Sequence, residues 1–304
     1  MKKQLRRMGL SVSFLLICAL FMGCGVQDQN KAQLDQDAID KAVEKALSKQ
    51  SGSSARMDMV MQSTLEGIMK RGELRVGFEA GYMPFEMADK KGQFVGFDID
   101  MAEEMAKALG VKFVPVNTAW DGIIPALLTD KFDIIMSGMT VTQERNLKIN
   151  FADPYIVVGQ TILLNPRNKD KVKSYKDLNA PEFIVTSKLG TTGEQAVKKH
   201  IPNCTYKSFE TESEAALEVV TGKADAYVYD KPNCVVFMAE QGADKLIFLD
   251  EPFTYEPLAW AIRKGDPDFL NWLNNFLRQY KNDGRYEALY NKWILSTDWY
   301  QNIK

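Results

Sequence analysis

The chain has 304 residues, of which 45% are apolar and 26% are charged. This composition is ordinary for a globular protein, and the length suffices for two modest domains. The formal net charge of −2 becomes −6 once the N-terminal segment described next is removed, and that charge argues against a nucleic acid as the partner.

The N-terminus has the pattern of a signal peptide. Four basic residues precede the uncharged stretch 8–22, which is too short to span a bilayer comfortably. We therefore predict that residues 1–23 are removed, which changes the balance from 38 basic and 40 acidic residues to 34 and 40. The mature protein, with a net charge of −6, is expected to work outside the cytoplasm.

The signal peptide closes on "LFMGCG", which resembles the lipobox of bacterial lipoproteins, with Phe21 where leucine is usual. That resemblance implies cleavage before Cys24 and lipidation of its thiol. Several acyl chains, at about 0.8 kcal/mol per buried CH₂, would hold the protein stably on a membrane. The alternative is ordinary cleavage nearby, with Cys24 lost or idle.

A polar segment separates the anchor from the folded body. Within 24–62, "LDQDAIDKAVEKALSKQ" places its apolar residues on one helical face, and "SGSS" then breaks the pattern. We predict a tether with a helical spacer, and a docking helix for a partner is the alternative. The folded body is expected to begin near Ser63.

From Ser63 onward, short strands alternate with amphipathic helices, which favours a parallel α/β architecture. The first half reads "ELRVGFE", "DIDMAEEMAKALG", "VKFVPVN", "WDGIIPALLTD" and "KFDIIMSGM", and the second half reads "FIVTSKLG", "GEQAVKKHI", "TYKSFE", "SEAALEVVTG" and "ADAYVYD". Two similar halves predict two lobes. A helical C-terminal region, interrupted at Gly284, follows them. If the strands are parallel, Cys204 and Cys234 lie at opposite ends of a sheet, so no disulfide is expected between them.

Polar groups gather where these strands end, and ligands of open α/β sheets bind there. Arg145 could hold a carboxylate in a bidentate fork. The segment "TTGE" has capping-box spacing, which would leave the N–H of Thr192 free for an anion. Asp230 could accept an ammonium group, together with Gly138 and Thr140. Because a buried zwitterion needs both charges paired, the combination predicts a free amino acid as ligand.

Singly, each signal has an ordinary structural explanation as a surface ion pair, a helix cap or a turn residue. Together they resemble the extracellular solute-binding proteins of family 3, which serve polar amino acid ABC transporters. The matching stretches, which span almost all of 63–304, are "LRVGFEAGYMPFEM", "GQFVGFDIDMAEEMAKALG", "WDGIIPALLTDKFDIIMSGMTVTQER", "FADPY", "LGTTGE" and "GKADAYVYDKP".

The resemblance implies the two-lobed type 2 periplasmic-binding fold, hinge-linked, with the ligand in the cleft between the lobes. It places lobe 1 at 63–156 and 256–304 and lobe 2 at 157–255. It assigns Arg145 and Thr192 to the ligand carboxylate, and Asp230, Gly138 and Thr140 to the ammonium group. It also implies a monomeric receptor that delivers a free L-amino acid to an ABC permease, without cofactor or metal.

The side-chain pocket of the family lies around Glu79, Tyr82 and Trp120. Two aromatic faces could sandwich a flat or cationic group, and an acidic end would favour a donor-rich tip. Arginine, lysine or histidine should fit best, and glutamine next. Ser137 lies at the same strand exit and Gln160 near a crossover, so both are candidate ligand contacts. Alternatively, Glu79 is solvated and Tyr82 belongs to the lobe core.

Two other functions are open. Cyclohexadienyl dehydratases resemble these binding proteins, but they carry a glutamate where this chain has Asn233 and a lysine where it has Gln160, so catalysis is not expected. A chemosensory receptor component would use the same cleft. Crosslinking to a permease would indicate transport, and crosslinking to a receptor would indicate the chemosensory function.

Overall fold

The computed structural model describes residues 63–242 and 244–303, together with Lys41 and Lys45. The predicted signal peptide, the lipidation site and almost all of the tether lie outside these residues. Within the described part, no helix is both long and apolar enough to cross a bilayer.

Two five-stranded sheets organise residues 63–303, which confirms the α/β prediction of two lobes. In the first sheet the strand order is β4-β1-β5-β14-β6, with β1 parallel to β4 and β5, and β14 antiparallel to β5 and β6. We call the part of the molecule built on this sheet lobe 1. Its strands are β1 (Glu73–Phe78), β4 (Lys112–Asn117), β5 (Ile134–Ile135), β6 (Asn150–Phe151) and β14 (Ala261–Ile262), and a hairpin of β2 (Met87–Ala88) and β3 (Phe94–Val95) precedes β4.

The second sheet has the order β10-β9-β11-β8-β12, with β9 parallel to β10 and β11, and β8 antiparallel to β11 and β12. We call the part built on it lobe 2. Its strands are β8 (Gln160–Leu164), β9 (Ile184–Lys188), β10 (Thr205–Phe209), β11 (Ala226–Asp230) and β12 (Ile247–Leu249).

Two antiparallel strands, β7 (Ile156–Val158) and β13 (Glu256–Leu258), pair where the chain passes from one sheet to the other and back. They lie close to the crossovers implied by the family resemblance. The exact lobe boundaries at 156/157 and 255/256 stay a prediction.

The longer helices pack buried apolar residues against the sheets. In lobe 1 the helices are α1 (Thr64–Arg71), α2 (Phe97–Leu109), α3 (Trp120–Leu128) and the short α4 (Gln143–Asn146). In lobe 2 they are α5 (Thr192–His200), α6 (Glu212–Val220) and α7 (Lys231–Gln241). The C-terminal region consists of α8 (Pro267–Asn282), α9 (Arg285–Tyr290), a π-helical turn (Asn291–Leu295) and a 3₁₀ turn (Asp298–Asn302).

Several local predictions are confirmed. Gly284 separates α8 from α9 in a left-handed conformation, with φ of 88°. Cys204 and Cys234 are both free thiols. Cys234 is fully buried beside the end of β11, and burial raises the pKa of its thiol to about 12, so it is unreactive at neutral pH.

Candidate functional site

The strand exits of both lobes face one cleft. Nine of the ten predicted ligand contacts line it, and the tenth, Gln160, lies directly behind Asp230. The lining residues are Glu79, Tyr82, Trp120, Ser137, Gly138, Thr140, Arg145, Thr191, Thr192, Glu212, Tyr229 and Asp230.

Arg145 is the buried cation of the lobe 1 wall. It lies in α4, which begins where the Thr142 hydroxyl accepts a hydrogen bond from the Arg145 backbone N–H. Its guanidinium donates to the Thr140 carbonyl at 2.9 Å and to the Gly190 carbonyl at 3.5 Å, and it lies 5.2 Å from the ring centre of Trp120. Burial lowers its pKa, yet a guanidinium stays charged in any protein. Two of its five N–H groups are used by these carbonyls, which leaves donors for an anion.

Helix α5 begins at the lobe 2 wall and points its first turn at the cleft. Thr191 is its N-cap, as predicted, and its hydroxyl accepts from the Glu194 N–H at 3.4 Å. The return bond differs from a capping box, because the Glu194 carboxylate accepts from the Gly190 N–H at 2.7 Å. The hydroxyl of Thr192, the first residue of the helix, lies 3.4 Å from that of Thr140 across the cleft.

Asp230 ends β11 and is the buried anion of the lobe 2 wall, 5% exposed. It accepts a hydrogen bond from the Gln160 amide at 2.6 Å and another from the Tyr82 hydroxyl of lobe 1. Burial raises the pKa of Asp230 to about 7, opposed by the Tyr82 hydrogen bond. Gln160 thus orients the carboxylate from behind rather than lining the cleft.

Gly138 allows Tyr82 to reach Asp230. Its φ of 52° lies in the left-handed region, and a Cβ there would fall 2.2 Å from the Tyr82 ring. The Gly138 N–H donates to Asp98 at 2.8 Å, and the neighbouring Ser137 hydroxyl donates to Glu86 at 2.5 Å. Both carboxyl groups are completely buried, and burial raises the pKa of each.

The far end of the cleft contains three charged groups. The Lys188 ammonium pairs with Glu79 and lies 2.9 Å from a Glu212 carboxylate oxygen, which also accepts from the Tyr229 hydroxyl at 3.1 Å. Glu79 is therefore an ion-pair partner rather than a solvated carboxylate. Tyr82 stacks on Phe85 at 4.9 Å between ring centres, so it serves the lobe core as well as the cleft.

Trp120 contacts both lobes at the cleft, and its role in an aromatic sandwich stays a prediction. Arg145 covers its ring, and its indole N–H donates to the Gly190 carbonyl of lobe 2 at 3.0 Å. The tryptophan therefore forms a hydrogen bond between the two lobes, and its ring packs against the Arg145 guanidinium.

Sequence reasoning missed Lys188, Glu212 and Tyr229, and it predicted Thr191 only as a helix cap and not as a lining residue. Lys188 ends β9, so the strand-exit rule applied to every strand would have selected it. Glu212 is the first residue of α6, and no sequence pattern placed its carboxylate beside Lys188. Among the described residues no cluster of His, Cys, Asp and Glu has the arrangement of a metal site.

A family model, the bacterial extracellular solute-binding proteins of family 3, matches residues 74–296. The chain belongs to this family. It is 34% identical over 223 residues to the probable histidine-binding protein of Neisseria gonorrhoeae, covering 72% of this chain and 82% of that one.

Solved structures extend the comparison. A binding component of an ABC transporter from Wolinella succinogenes, complexed with lysine, is 57% identical, with a TM-score of 0.74 over 76% of this chain and 99% of that chain. The ancestral amino acid-binding protein AncCDT-1, a precursor of cyclohexadienyl dehydratase, is 55% identical, with a TM-score of 0.72 over 76% of this chain and 100% of that chain. The two-lobed type 2 periplasmic-binding fold is thereby confirmed.

Proposed function

We propose that this protein is an extracytoplasmic receptor that captures a free L-amino acid with a basic side chain and delivers it to an ABC permease. The observation that carries the proposal is a buried guanidinium on lobe 1 and a buried carboxylate on lobe 2 that line one cleft. Such a pair suits a zwitterion, since each buried ligand charge meets an opposite one.

In the proposed complex, Arg145 and the first turn of α5 bind the ligand carboxylate. The macrodipole of α5 and the hydroxyl of Thr192 support the anion there. Asp230, oriented by Gln160, accepts the ammonium group together with Thr140 and Gly138. Ser137 acts indirectly, because its hydroxyl accepts from the Glu79 N–H at 3.1 Å and so holds the backbone at the cleft floor.

The side chain of the ligand would extend toward Glu79, Glu212 and Tyr229. Two carboxylates face this end against one ammonium, so a cation is favoured there. The similarity to a protein complexed with lysine and to one named for histidine supports a basic ligand. Glutamine is the next candidate, because a carboxylate can also accept from an amide.

The test is thermal unfolding of the purified protein against all twenty amino acids. A ligand at 100 times its Kd should add about 2.7 kcal/mol to the free energy of unfolding. We expect a shift with lysine, arginine or histidine. A shift confined to acidic or aliphatic amino acids would support binding of the zwitterion by Arg145 and Asp230 and exclude a basic ligand. No shift with any amino acid would refute the function.

Catalysis is the second candidate, because the relative AncCDT-1 is a precursor of a dehydratase and because a carboxyl group with a pKa near 7 could donate a proton. We propose that this chain binds without turnover. Asn233 is engaged with the Met83 carbonyl and the Tyr227 hydroxyl and offers no acid. Incubation with arogenate or prephenate should leave either compound unchanged, and formation of an aromatic product would establish the enzyme instead.

We also propose that Cys24 is lipidated and that the receptor acts from a membrane surface. Replacing Cys24→Ser should release the protein into the soluble fraction and abolish incorporation of labelled palmitate. Cys18→Ser, in the apolar stretch of the signal peptide, is the matched control and should change neither. Labelling that persists in the Cys24 variant would contradict the anchor.

A further inference from the structure

The far end of the cleft carries more negative than positive charge. Glu79 follows β1 of lobe 1, whereas Lys188 ends β9 and Glu212 begins α6 of lobe 2. The Lys188 side chain is only 3% exposed and that of Glu212 only 5%, so bulk water solvates neither charge. One buried ammonium therefore serves two carboxylates.

The arrangement places the ammonium behind the two acids. Glu79 and Glu212 line the cleft, and Lys188 does not. The Tyr229 hydroxyl also donates a hydrogen bond to Glu212. This bond helps to orient the carboxylate that is paired with the Lys188 ammonium. A ligand entering the cleft would meet the acidic oxygens first, with their counter-ion on the far side.

A second cation would complete this group. Burial raises the pKa of Glu79 even though the Lys188 hydrogen bond opposes the shift, as expected where one ammonium is shared by two carboxylates. Among the described residues, the ion pairs of Glu79 and Glu212 involve no cation other than Lys188. The positive side-chain charge of a ligand would bring the cluster to two cations and two anions.

We propose that Lys188 is a specificity-determining residue, the resident counter-ion that leaves the far end of the cleft with a single net negative charge. The cleft then selects amino acids whose side chain carries one positive charge. A neutral amide can accept or donate hydrogen bonds there but cannot balance the charge, and an anionic side chain is repelled. This inference rests on the proposed function and names what sets its selectivity.

The experiment compares the Kd values of L-lysine and L-glutamine, by calorimetry at pH 7.5, in the full-length protein and three variants. Glu212→Gln leaves one acid and one ammonium, so the preference for lysine over glutamine should fall by about tenfold or more. The double variant Glu212→Gln/Lys188→Met restores the single net charge through Glu79. It should regain most of the lysine preference, although it removes more of the native cluster.

Lys223→Met is the matched control, since this lysine pairs with Glu218 on the surface of the same lobe. It should leave both Kd values unchanged. If the double variant is as unselective as Glu212→Gln, Lys188 is not the counter-ion and the inference fails. The same holds if Glu212→Gln keeps the wild-type ratio.

The failure of the proposed function would look different. A wild-type protein that binds none of the twenty amino acids would contradict the receptor itself. A wild-type protein that binds glutamine more tightly than lysine would retain the receptor and overturn the inference alone. Circular dichroism of every variant separates a change of selectivity from loss of folding.

Discussion

At the scale of single residues, the protonation of Asp230 should control ligand affinity. Burial raises the pKa of this carboxyl to about 7, and only the ionised form can accept an ammonium group. Affinity should therefore be maximal above pH 7 and weaken as the pH falls below it, by at most about tenfold per pH unit. Calorimetric titration with L-lysine between pH 5.5 and 8.5 measures this dependence.

The control for this prediction is Gln160→Leu. The Gln160 amide donates to Asp230 at 2.6 Å and so favours its charged form. Its loss should move the midpoint of the affinity profile to higher pH, whereas Asp230→Asn should weaken binding at every pH and remove the slope. A wild-type profile that is flat across the range would show that Asp230 is ionised throughout or does not hold the ammonium group.

The buried carboxyl groups of Glu86 and Asp98 should make stability depend on pH in the opposite sense to acid denaturation. Burial raises the pKa of both above the unfolded values, so their contribution is full below about pH 4 and is lost as the pH rises through the folded pKa values. One oxygen of each has no hydrogen-bond partner among the described residues. These groups should therefore lower the free energy of unfolding as the pH rises from 4 to 7. In Glu86→Gln this decrease should be smaller, by up to about 1.4 kcal/mol per pH unit.

Urea unfolding at several pH values tests this, with Glu66→Gln on the exposed side of α1 as the control. The control should preserve the slope. A Glu86 variant with the wild-type slope would mean that the Glu86 carboxyl group does not keep its proton in the folded protein.

At the scale of elements, the first turn of α5 is proposed to bind the ligand. The effect of its N-cap on ligand affinity can be measured separately from the effect of the cap on protein stability. Thr191→Ala removes the hydroxyl that caps the helix, which should reduce the free energy of unfolding by about 1 kcal/mol and weaken amino acid binding. Ser63→Ala removes the cap of α1, which the cleft does not include, and should reduce stability comparably with an unchanged Kd. Equal loss of affinity in both variants would remove α5 from the site.

Elements are also the scale at which the sequence was most informative. Alternation of strands and helices predicted both sheets, and the strand exits predicted the cleft, because side-chain periodicity and parallel topology follow from local pattern. The hydrogen-bond and ion-pair partners of individual side chains could not be predicted from local pattern. The Glu194 carboxylate bonds to Gly190 instead of the cap residue, and Glu212 reaches Lys188 only because α6 packs beside β9. Strand β5 has only two residues, and Ser137 of the loop that follows it lines the cleft.

At the scale of the whole molecule, we expect contacts between the lobes to bias the equilibrium between an open and a closed arrangement of the hinge-linked fold. The Asn233 amide of lobe 2 donates to the Met83 carbonyl of lobe 1 at 3.2 Å, outside the cleft lining. Losing this bond in Asn233→Ala removes about 1 kcal/mol of preference for the closed arrangement. Because apparent affinity scales with the closed fraction, Kd should rise up to about fivefold for every ligand.

Tyr227→Phe separates this effect from damage to lobe 2. The Tyr227 hydroxyl donates to the same Asn233 side chain at 3.1 Å, but from within lobe 2, so its loss should reduce stability and leave interlobe distances and Kd unchanged. Single-molecule energy transfer between labels on the two lobes should show a larger open fraction only in Asn233→Ala. An equal rise of Kd for lysine and glutamine in that variant would identify a change of population, because a change of contacts at the far end of the cleft would alter their ratio.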